Sequence, residues 1–427
     1  MLSREENDIL CRVGPQTPMG EVMRRYWHPI AASEQLPNPD GPPLRTRLLG
    51  QNFVVFRDTA GKVGVLDELC MHRGVSLALG RVEEGGLRCL YHGWKFAVDG
   101  TILDTPNHAD CRLREALRAP AYPVREQSGL IWTYIGPAEL EPPFRRFAFD
   151  EVPATNRVIH RINVKANYLQ LSEGGVDSSH VGILHTNQVR PSWREKRQAI
   201  DAGTLDAAVM EDNAPAFEIE NTEFGYHYGA IRQAMGEAGK RGMRNVRVTP
   251  VILPTLRVIP ATHYFFNVFE TPMDDESTAT YIVTHSERAL DYDEITHVVG
   301  LDDERFWSRK DCEFRATWDD RLGQDRSDMR TNWTGFHGIQ REDAIMAISS
   351  GPILDRTREH LVAADQAVVR LRRRLMDCVD LVAAGRAPLG LELADLTKIL
   401  ARDQDIGANE AWQDLARDHL AFAAAAE

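Results

Sequence analysis

The sequence predicts an α+β protein in two parts: a small all-β domain, then a larger domain whose antiparallel β-sheet is flanked by helices. Three observations lead there. Residues 41–140 alternate short β-rich runs with Gly, Asp and Pro. A second set of strand-like runs lies between residues 225 and 287. In DRTREHLVAADQAVVRLRRRLMDCVDLVAAG, residues 355–385, apolar side chains recur at helical spacing up to Gly385, the pattern of a long amphipathic helix. On this reading residues 1–40 are an N-terminal helical segment packed on the larger domain, 41–140 the small β domain and 141–427 the larger one.

Along the chain, Pro18 and Gly20 introduce a short helical stretch that ends near Trp27–Pro29. LRTRLLG, NFVVFRD, KVGVLDEL, LRCLYHGWKFAVDG and GLIWTYIGP supply the strands of the small domain, with Gly61-Lys62 and Asp99-Gly100 where hairpins must turn. EPPFRRFAFDEVP, residues 141–153, reads as a proline-bearing connector. VIHRINVKANYLQL then passes from strand-like alternation into a segment rich in His and Asp, and residues 190–225 read as polar surface connections. GYHYGAIRQ, MRNVRVTPVILPTLRVIP, YFFNVFETP and TATYIVTHSE are the strands of the second sheet.

Composition narrows the class. The 427 residues carry 50 Lys+Arg against 63 Asp+Glu, a net charge of −13, with 43% hydrophobic residues. That acidic balance argues against a general nucleic-acid binder. No apolar run approaches the ~18 residues of a membrane span, and MLSREENDIL lacks the apolar core of a secretory signal. Six cysteines in a chain of this length are too few for a disulfide scaffold. A soluble protein of the reducing cytoplasm is expected, with Cys11, Cys111, Cys312 and Cys378 as isolated thiols.

Two of the cysteines stand in a motif. Cys70-Met71-His72 is followed, sixteen residues on, by Cys89-Leu90-Tyr91-His92. Each half is a short loop, with Gly74 or Gly93 free to turn behind the donors. Two thiolates and two imidazoles suit zinc or a Rieske [2Fe–2S] centre. Zinc fingers pair Cys with Cys and His with His. Here each loop supplies one of each, as a cluster needs when two Cys hold one iron and two His the other.

A second constellation lies in ANYLQLSEGGVDSSHVGILH. Asp177 and His180 are three apart and would share a helix face. His180 and His185 are five apart, about 140° around an ideal helix, so an undistorted helix cannot aim both at one metal. Gly182 between them is the place expected to let His185 swing round. Two histidines need a carboxylate to complete the facial triad of non-haem Fe(II) oxygenases. Asp343, opening a helical run in GIQREDAI, is preferred. Asp355 precedes Arg356 and Arg358 and reads as a helix cap or ion-pair partner.

Together these motifs resemble the large (α) subunits of the Rieske non-haem iron aromatic-ring oxygenases, phthalate dioxygenase-like branch. The likeness rests on TPMGEVMRRYWHP, the two cluster loops, ANYLQLSEGGVDSSHVGILH and GIQREDAI with GPILDRTREHL, and spans nearly the whole chain. It implies a helix-grip (START-like) catalytic domain. It implies that Cys70, His72, Cys89 and His92 ligate a [2Fe–2S] cluster, and that His180, His185 and Asp343 bind mononuclear Fe(II). Asp177 would bridge a cluster histidine of a neighbouring subunit to an iron-ligand histidine, and Asn167 would lie near the iron. A flavin/iron–sulfur reductase or ferredoxin would pass on electrons from NAD(P)H, O2 would be co-substrate, and the chain would work as α3 or stacked α3α3 rings.

The resemblance implies hydroxylation of an aromatic substrate by cis-dihydroxylation; a monooxygenase or O-demethylase acting on an aryl ether is the alternative. Arg232, Arg241, Arg244 and Arg247 cluster around strand candidates, and Arg244 alternates with Val246 and Val248 on a potentially buried face. Arg244 is therefore the expected partner of a substrate carboxylate of the phthalate or benzoate type. A non-catalytic Rieske electron carrier would need only the first 150 or so residues, and a zinc-stapled binding protein would lack the His/His/Asp set.

Overall fold

The computed structural model describes residues 1–108, 111–188, 207–261 and 263–420. It divides into two compact units, one of Val13–Pro142 and one of Met1–Arg12 with Pro143–Glu427. The expected 1–40 segment is thereby split after Arg12. Strand pairing is the reason, because His28–Ala32 hydrogen-bonds antiparallel to Leu130–Thr133 and belongs to the smaller unit.

The strands of the smaller unit are β1 (His28–Ala32), β2 (Leu44–Leu48), β3 (Gln51–Arg57), β4 (Val63–Asp67), β5 (Arg81–Glu83), β6 (Gly86–Arg88), β7 (Lys95–Phe96), β8 (Ile102–Asp104), β9 (Ala121–Tyr122), β10 (Val124–Gln127) and β11 (Leu130–Thr133). They form three antiparallel sheets in the orders β1-β11-β10, β2-β3-β4-β9 and β5-β6-β7-β8. Gly61 (φ +81°) and Gly100 (φ +80°) turn the hairpins β3–β4 and β7–β8, the left-handed conformation that glycine adopts without strain. Thr17 caps the short helix Pro18–Met23 by accepting from the Gly20 amide. Buried His28 sits 2.8 Å through Nε2 from the Met23 carbonyl, a structural role.

The larger unit adds β12 (Arg146–Phe147), β13 (Arg157–Val164), β14 (Ala216–Thr222), β15 (Gly225–Gln233), β16 (Arg244–Ile252), β17 (Leu256–Pro260), β18 (Phe265–Pro272), β19 (Thr278–His285), β20 (Asp395–Leu396) and β21 (Arg402–Ile406). Its main sheet runs β13-β19-β18-β17-β16-β15-β14 with antiparallel neighbours. β17 pairs with β16 only at Val251 and Ile252, which leaves Arg244–Val248 open to β21 from the C-terminal region.

Both faces of this sheet are covered. Val158, Ile162, Phe266, Val268 and Ile282 pack with Ile295, Val299 and Ile345 of the helices Tyr292–Val299 and Ile339–Ser349. Burying one such side chain contributes about 1.5–3 kcal/mol. On the other side Ile231, Val246 and Val248 meet Trp412 and Ala416 of the C-terminal helix Trp412–Leu420. The N-terminal helix Arg4–Cys11 is tied to the helix Tyr168–Val176 by the Tyr168 hydroxyl, which donates to the Leu10 carbonyl at 2.8 Å. Fully buried Arg356 joins them, donating to Glu173 (2.8 Å) and to Asn7 (3.2 Å).

Two expectations shift. The long helix begins at Gln366, not near 355, and ends at Ala383 before Gly385 (φ +72°). Asp355 is a helix cap as expected, of the short 3-10 helix Arg356–Arg358, accepting from the Thr357 amide and hydroxyl. Of the expected surface connection 190–225, residues 190–206 lie outside the described residues, whereas Ala216–Thr222 is a strand, its alternating Phe217 and Ile219 turned inward.

Candidate metal centres

In the smaller unit the two loops close alike. The Cys70 amide donates to the Val75 carbonyl and the Gly74 amide to the Cys70 carbonyl, each at 2.8 Å. The Cys89 amide donates to Trp94 (2.8 Å) and the Gly93 amide to Cys89 (3.0 Å). Gly74 (φ +68°) and Gly93 (φ +76°) take the left-handed step that this closure requires.

Cys70 and Cys89 are both buried, and the Cys89 thiol is near enough to raise that of Cys70. Burial pushes the Cys70 thiol up to about 11, so a thiolate there depends on a cation. The His72 and His92 rings lie 4.5 Å apart at 75°, and His92 Nδ1 is buried without a partner among the described residues. The four donors do not gather within 4.8 Å of one another, as a triad elsewhere does. Thiol against thiol and imidazole against imidazole fits a two-iron cluster better than one tetrahedral zinc. Trp94 stacks on His72 at 4.7 Å and 3°, a contact the motif itself did not disclose.

That triad is His180, His185 and Asp343. The helix Tyr168–Val176 stops at Asp177, whose φ of −86° and ψ of 102° leave helical space. Asp177 Oδ1 accepts from the Ser179 amide (2.8 Å) and hydroxyl (2.6 Å), closing an Asx turn. The chain then makes the short helix Val181–Leu184, flanked by His180 and His185. The break expected at Gly182 is therefore at Asp177. Gly182 serves a close approach instead, since a Cβ there would stand 2.1 Å from Asn213 Oδ1.

The reorientation brings His180 Nε2 within 3.2 Å of His185 Nε2, with Asp343 Oδ1 at 3.5 and 3.2 Å from the two. Donors to one ion with bonds of about 2.1 Å must lie within roughly 4.2 Å of one another. All three separations meet that bound, and two imidazoles with one carboxylate are the donor set of a non-haem iron site with open positions.

Electrostatics favour a cation. Burial alone would push His180 down, but Asp177 and Asp343 raise it to about 10. Burial likewise disfavours the Asp343 carboxylate, yet the two histidines hold it far below the usual range. The outer imidazole nitrogens have unlike partners. His180 Nδ1 is 3.6 Å from Asp177 Oδ2, both side chains 22% exposed. His185 Nδ1 is 2.8 Å from Glu342 Oε2, and Glu342 is 0% exposed. Burial pushes the Glu342 carboxyl up against the pull of His185, while Thr334 donates to its other oxygen at 2.6 Å. Sequence reasoning missed Glu342: it is visible beside Asp343 in GIQREDAI, but nothing local says that it reaches back to a histidine 157 positions away.

A pocket over the triad is walled by Ile259, Pro260, Phe266 and Ile339, with Ser178, Tyr228, Arg247, Thr249 and Gln340 as polar groups. Burial pushes the Tyr228 phenol up to about 12, so it stays a neutral donor. Arg244 is not on this wall. Its Nη2 donates to the Glu410 carbonyl, because Val246 and Val248, which share its side of β16, face the C-terminal helix. The opposite side, Arg247 and Thr249 paired with Ala230 and Tyr228 of β15, looks into the pocket. Asn167 is also placed elsewhere. It caps the helix Tyr168–Val176, accepting from the Leu169 amide and donating to the Cys11 and Asp275 carbonyls, so its amide is used up in main-chain contacts.

Known proteins share this organisation. Residues 26–123 match the Rieske [2Fe-2S] domain and residues 133–423 the LigXa C-terminal domain like family. The phthalate 4,5-dioxygenase oxygenase subunit of Pseudomonas putida is 35% identical over 97% of this chain and 94% of its own length. The 3-chlorobenzoate-3,4-dioxygenase oxygenase subunit of Comamonas testosteroni is 32% identical, covering 92% and 93%. Dicamba monooxygenase bound to dicamba has the same fold, with a TM-score of 0.56 at 20% identity over 84% of this chain and 98% of that one.

Proposed function

The chain belongs to the Rieske non-haem iron oxygenases, as a large subunit of the phthalate dioxygenase-like branch, and from that we propose that it hydroxylates an aromatic carboxylate of the phthalate or benzoate type. The favoured reaction is cis-dihydroxylation: the ring takes both atoms of O2 together with two electrons and two protons. The observation that carries the substrate reading is the pair of arginines on the sheet face that walls the triad's pocket, of which Arg247 is in the lining itself. Arg232 lies one rung further along the same face, its buried Nη1 without a partner among the described residues. Apolar walls suit the ring and guanidinium groups the acid.

In this reading Cys70, Cys89, His72 and His92 hold the cluster, and His180, His185 and Asp343 hold the iron. Bound there, the cluster would store single electrons and the iron would activate O2. The protein's own groups do the rest. Glu342 fixes the His185 ring by its outer nitrogen at 2.8 Å, and Asp177 faces the outer nitrogen of His180 at 3.6 Å. Ser179 pins one Asp177 oxygen and leaves the other toward His180, which suits Asp177 to the electron path. Tyr228 and Gln340 orient the ring substrate, and Ile259, Pro260 and Phe266 keep water from its face.

The family's oxygenase subunits draw electrons through a reductase partner. Assembly as a head-to-tail trimer in the cytoplasm completes the proposal. Leu69, Leu90 and Tyr91 are exposed beside the cluster loops, and Ile183, Trp333 and Met346 beside the triad or its flanking segments. Two apolar patches of this kind suit contact between copies. The test is reconstitution with a compatible reductase, NADH and O2, offering benzoates, phthalates and aryl ethers and weighing the products. A gain of two oxygens and two hydrogens on an aromatic acid is expected. Demethylation of ethers with no acid hydroxylated would overturn the proposal.

A further inference from the structure

Building on the carboxylate reading above, we infer that Asp403, carried in by the C-terminal strand β21, sets the pocket to accept one substrate carboxylate rather than two. Asp403 lies directly across from Arg247 in the β16–β21 ladder. Arg247 Nη1 donates to Asp403 Oδ2 at 2.8 Å, and Arg247 Nη2 to the Pro260 carbonyl at 2.7 Å. The other Asp403 oxygen accepts from Asn245 Nδ2 at 3.0 Å. Both side chains of the ion pair are withdrawn from solvent, at 4% and 13% exposure. Arg247 thus meets the pocket with its charge offset and both terminal nitrogens engaged.

Arg232 differs. Its Nε donates to the Asp212 main-chain carbonyl and its Nη2 to the Ser178 carbonyl and hydroxyl. Asp212 Oδ1 accepts from the Ala214 amide, and among the described residues no side-chain carboxylate is hydrogen-bonded to Arg232. Of the two arginines on this face of the sheet, Arg247 is ion-paired with a fixed carboxylate, whereas Arg232 is held by main-chain and hydroxyl oxygens and keeps a buried Nη1 with no partner among the described residues. A second ligand carboxylate would find Arg247 occupied and Asp403 close behind it, a like charge that disfavours it. The residue that decides this is some 150 positions away from the strand it serves, on an element that pairs with β16 only where β17 leaves off.

The experiment measures Kd and KM of the holoenzyme for benzoate and for phthalate, in the wild type and in Asp403→Asn and Asp403→Glu. The wild type is expected to favour benzoate, and Asp403→Asn to lower the phthalate-to-benzoate ratio about tenfold, with the change in KM rather than kcat. Asp403→Glu, which keeps the charge, should stay near the wild-type ratio. A ratio unchanged in Asp403→Asn, with both acids still bound, overturns the inference and leaves the carboxylate reading standing. Should Asp403→Asn fail to fold, the wild type decides: phthalate held as tightly as benzoate overturns the inference, and a clear preference for benzoate supports it. Neither acid binding while a neutral aryl ether does would overturn the carboxylate reading, and the inference with it.

Discussion

His180 and His185 present the same nitrogen to the metal position but lean on different carboxylates, and the difference separates two roles. Glu342 is fully buried at 2.8 Å from His185, whereas Asp177 is partly exposed at 3.6 Å from His180. A buried carboxylate behind a ligand histidine fixes the ring and its tautomer, and removing it typically weakens metal binding 10–100-fold. Glu342→Gln should therefore lose iron affinity on about that scale, read by equilibrium dialysis of Fe(II), while the visible spectrum of the cluster is unchanged. Asp177→Asn should keep both metals and slow single-turnover electron transfer from cluster to iron. Equal single-turnover rates in Asp177→Asn and the wild type would remove Asp177 from the electron path. Undiminished iron affinity in Glu342→Gln would reduce Glu342 to a packing residue.

At the scale of elements, the helix Tyr168–Val176 and the turn after it decide where the metal donors go. Gly174 and Gly175 near its end are alike in sequence and unlike in surroundings. A Cβ on Gly175 would lie 1.7 Å from Arg257 Nε, and Arg257 cannot retreat because it is ion-paired with buried Glu270 at 2.8 Å. A Cβ on Gly174 meets nothing within 4 Å. Gly175→Ala is expected to lower stability by about 1–3 kcal/mol through overpacking and to displace the Asp177 turn, reducing iron loading. Gly174→Ala should be neutral or stabilise by up to about 1 kcal/mol, as alanine replacing glycine in a helix does. Thermal unfolding of the pair checks both; equal midpoints would mean that the sheet yields to the added methyl.

For the whole molecule, two histidines remote from the triad make stability depend on pH. Burial pushes His285 down to about 4, aided by Arg157, and His160 down to about 3, aided by Arg309. Their folded values lie below the ordinary 6.5, so the unfolded chain takes up these protons first. The stabilisation is complete above about pH 6.5 and is lost as pH falls toward the folded values. Between pH 7.5 and 5 each histidine should remove on the order of 2 kcal/mol, seen as a falling urea midpoint that His160→Gln flattens; a midpoint level over that range would refute it. The cluster loops were legible in the sequence because each closes on itself within six residues, Cys70 to Val75 and Cys89 to Trp94. The strands of the larger sheet were legible from their residue types, and the triad from one short segment and one acidic helix start. Glu342, the Asp177 break, the pocket side of β16 and the Asp403 contact were not, because each depends on which distant segment packs against it. By itself the sequence determined the donor set, the two-part α+β class and the family. Tertiary structure alone decided which arginine faces the pocket, since β-strand alternation defines two faces and only the helix covering one of them, anchored by Trp412, leaves the other to the substrate.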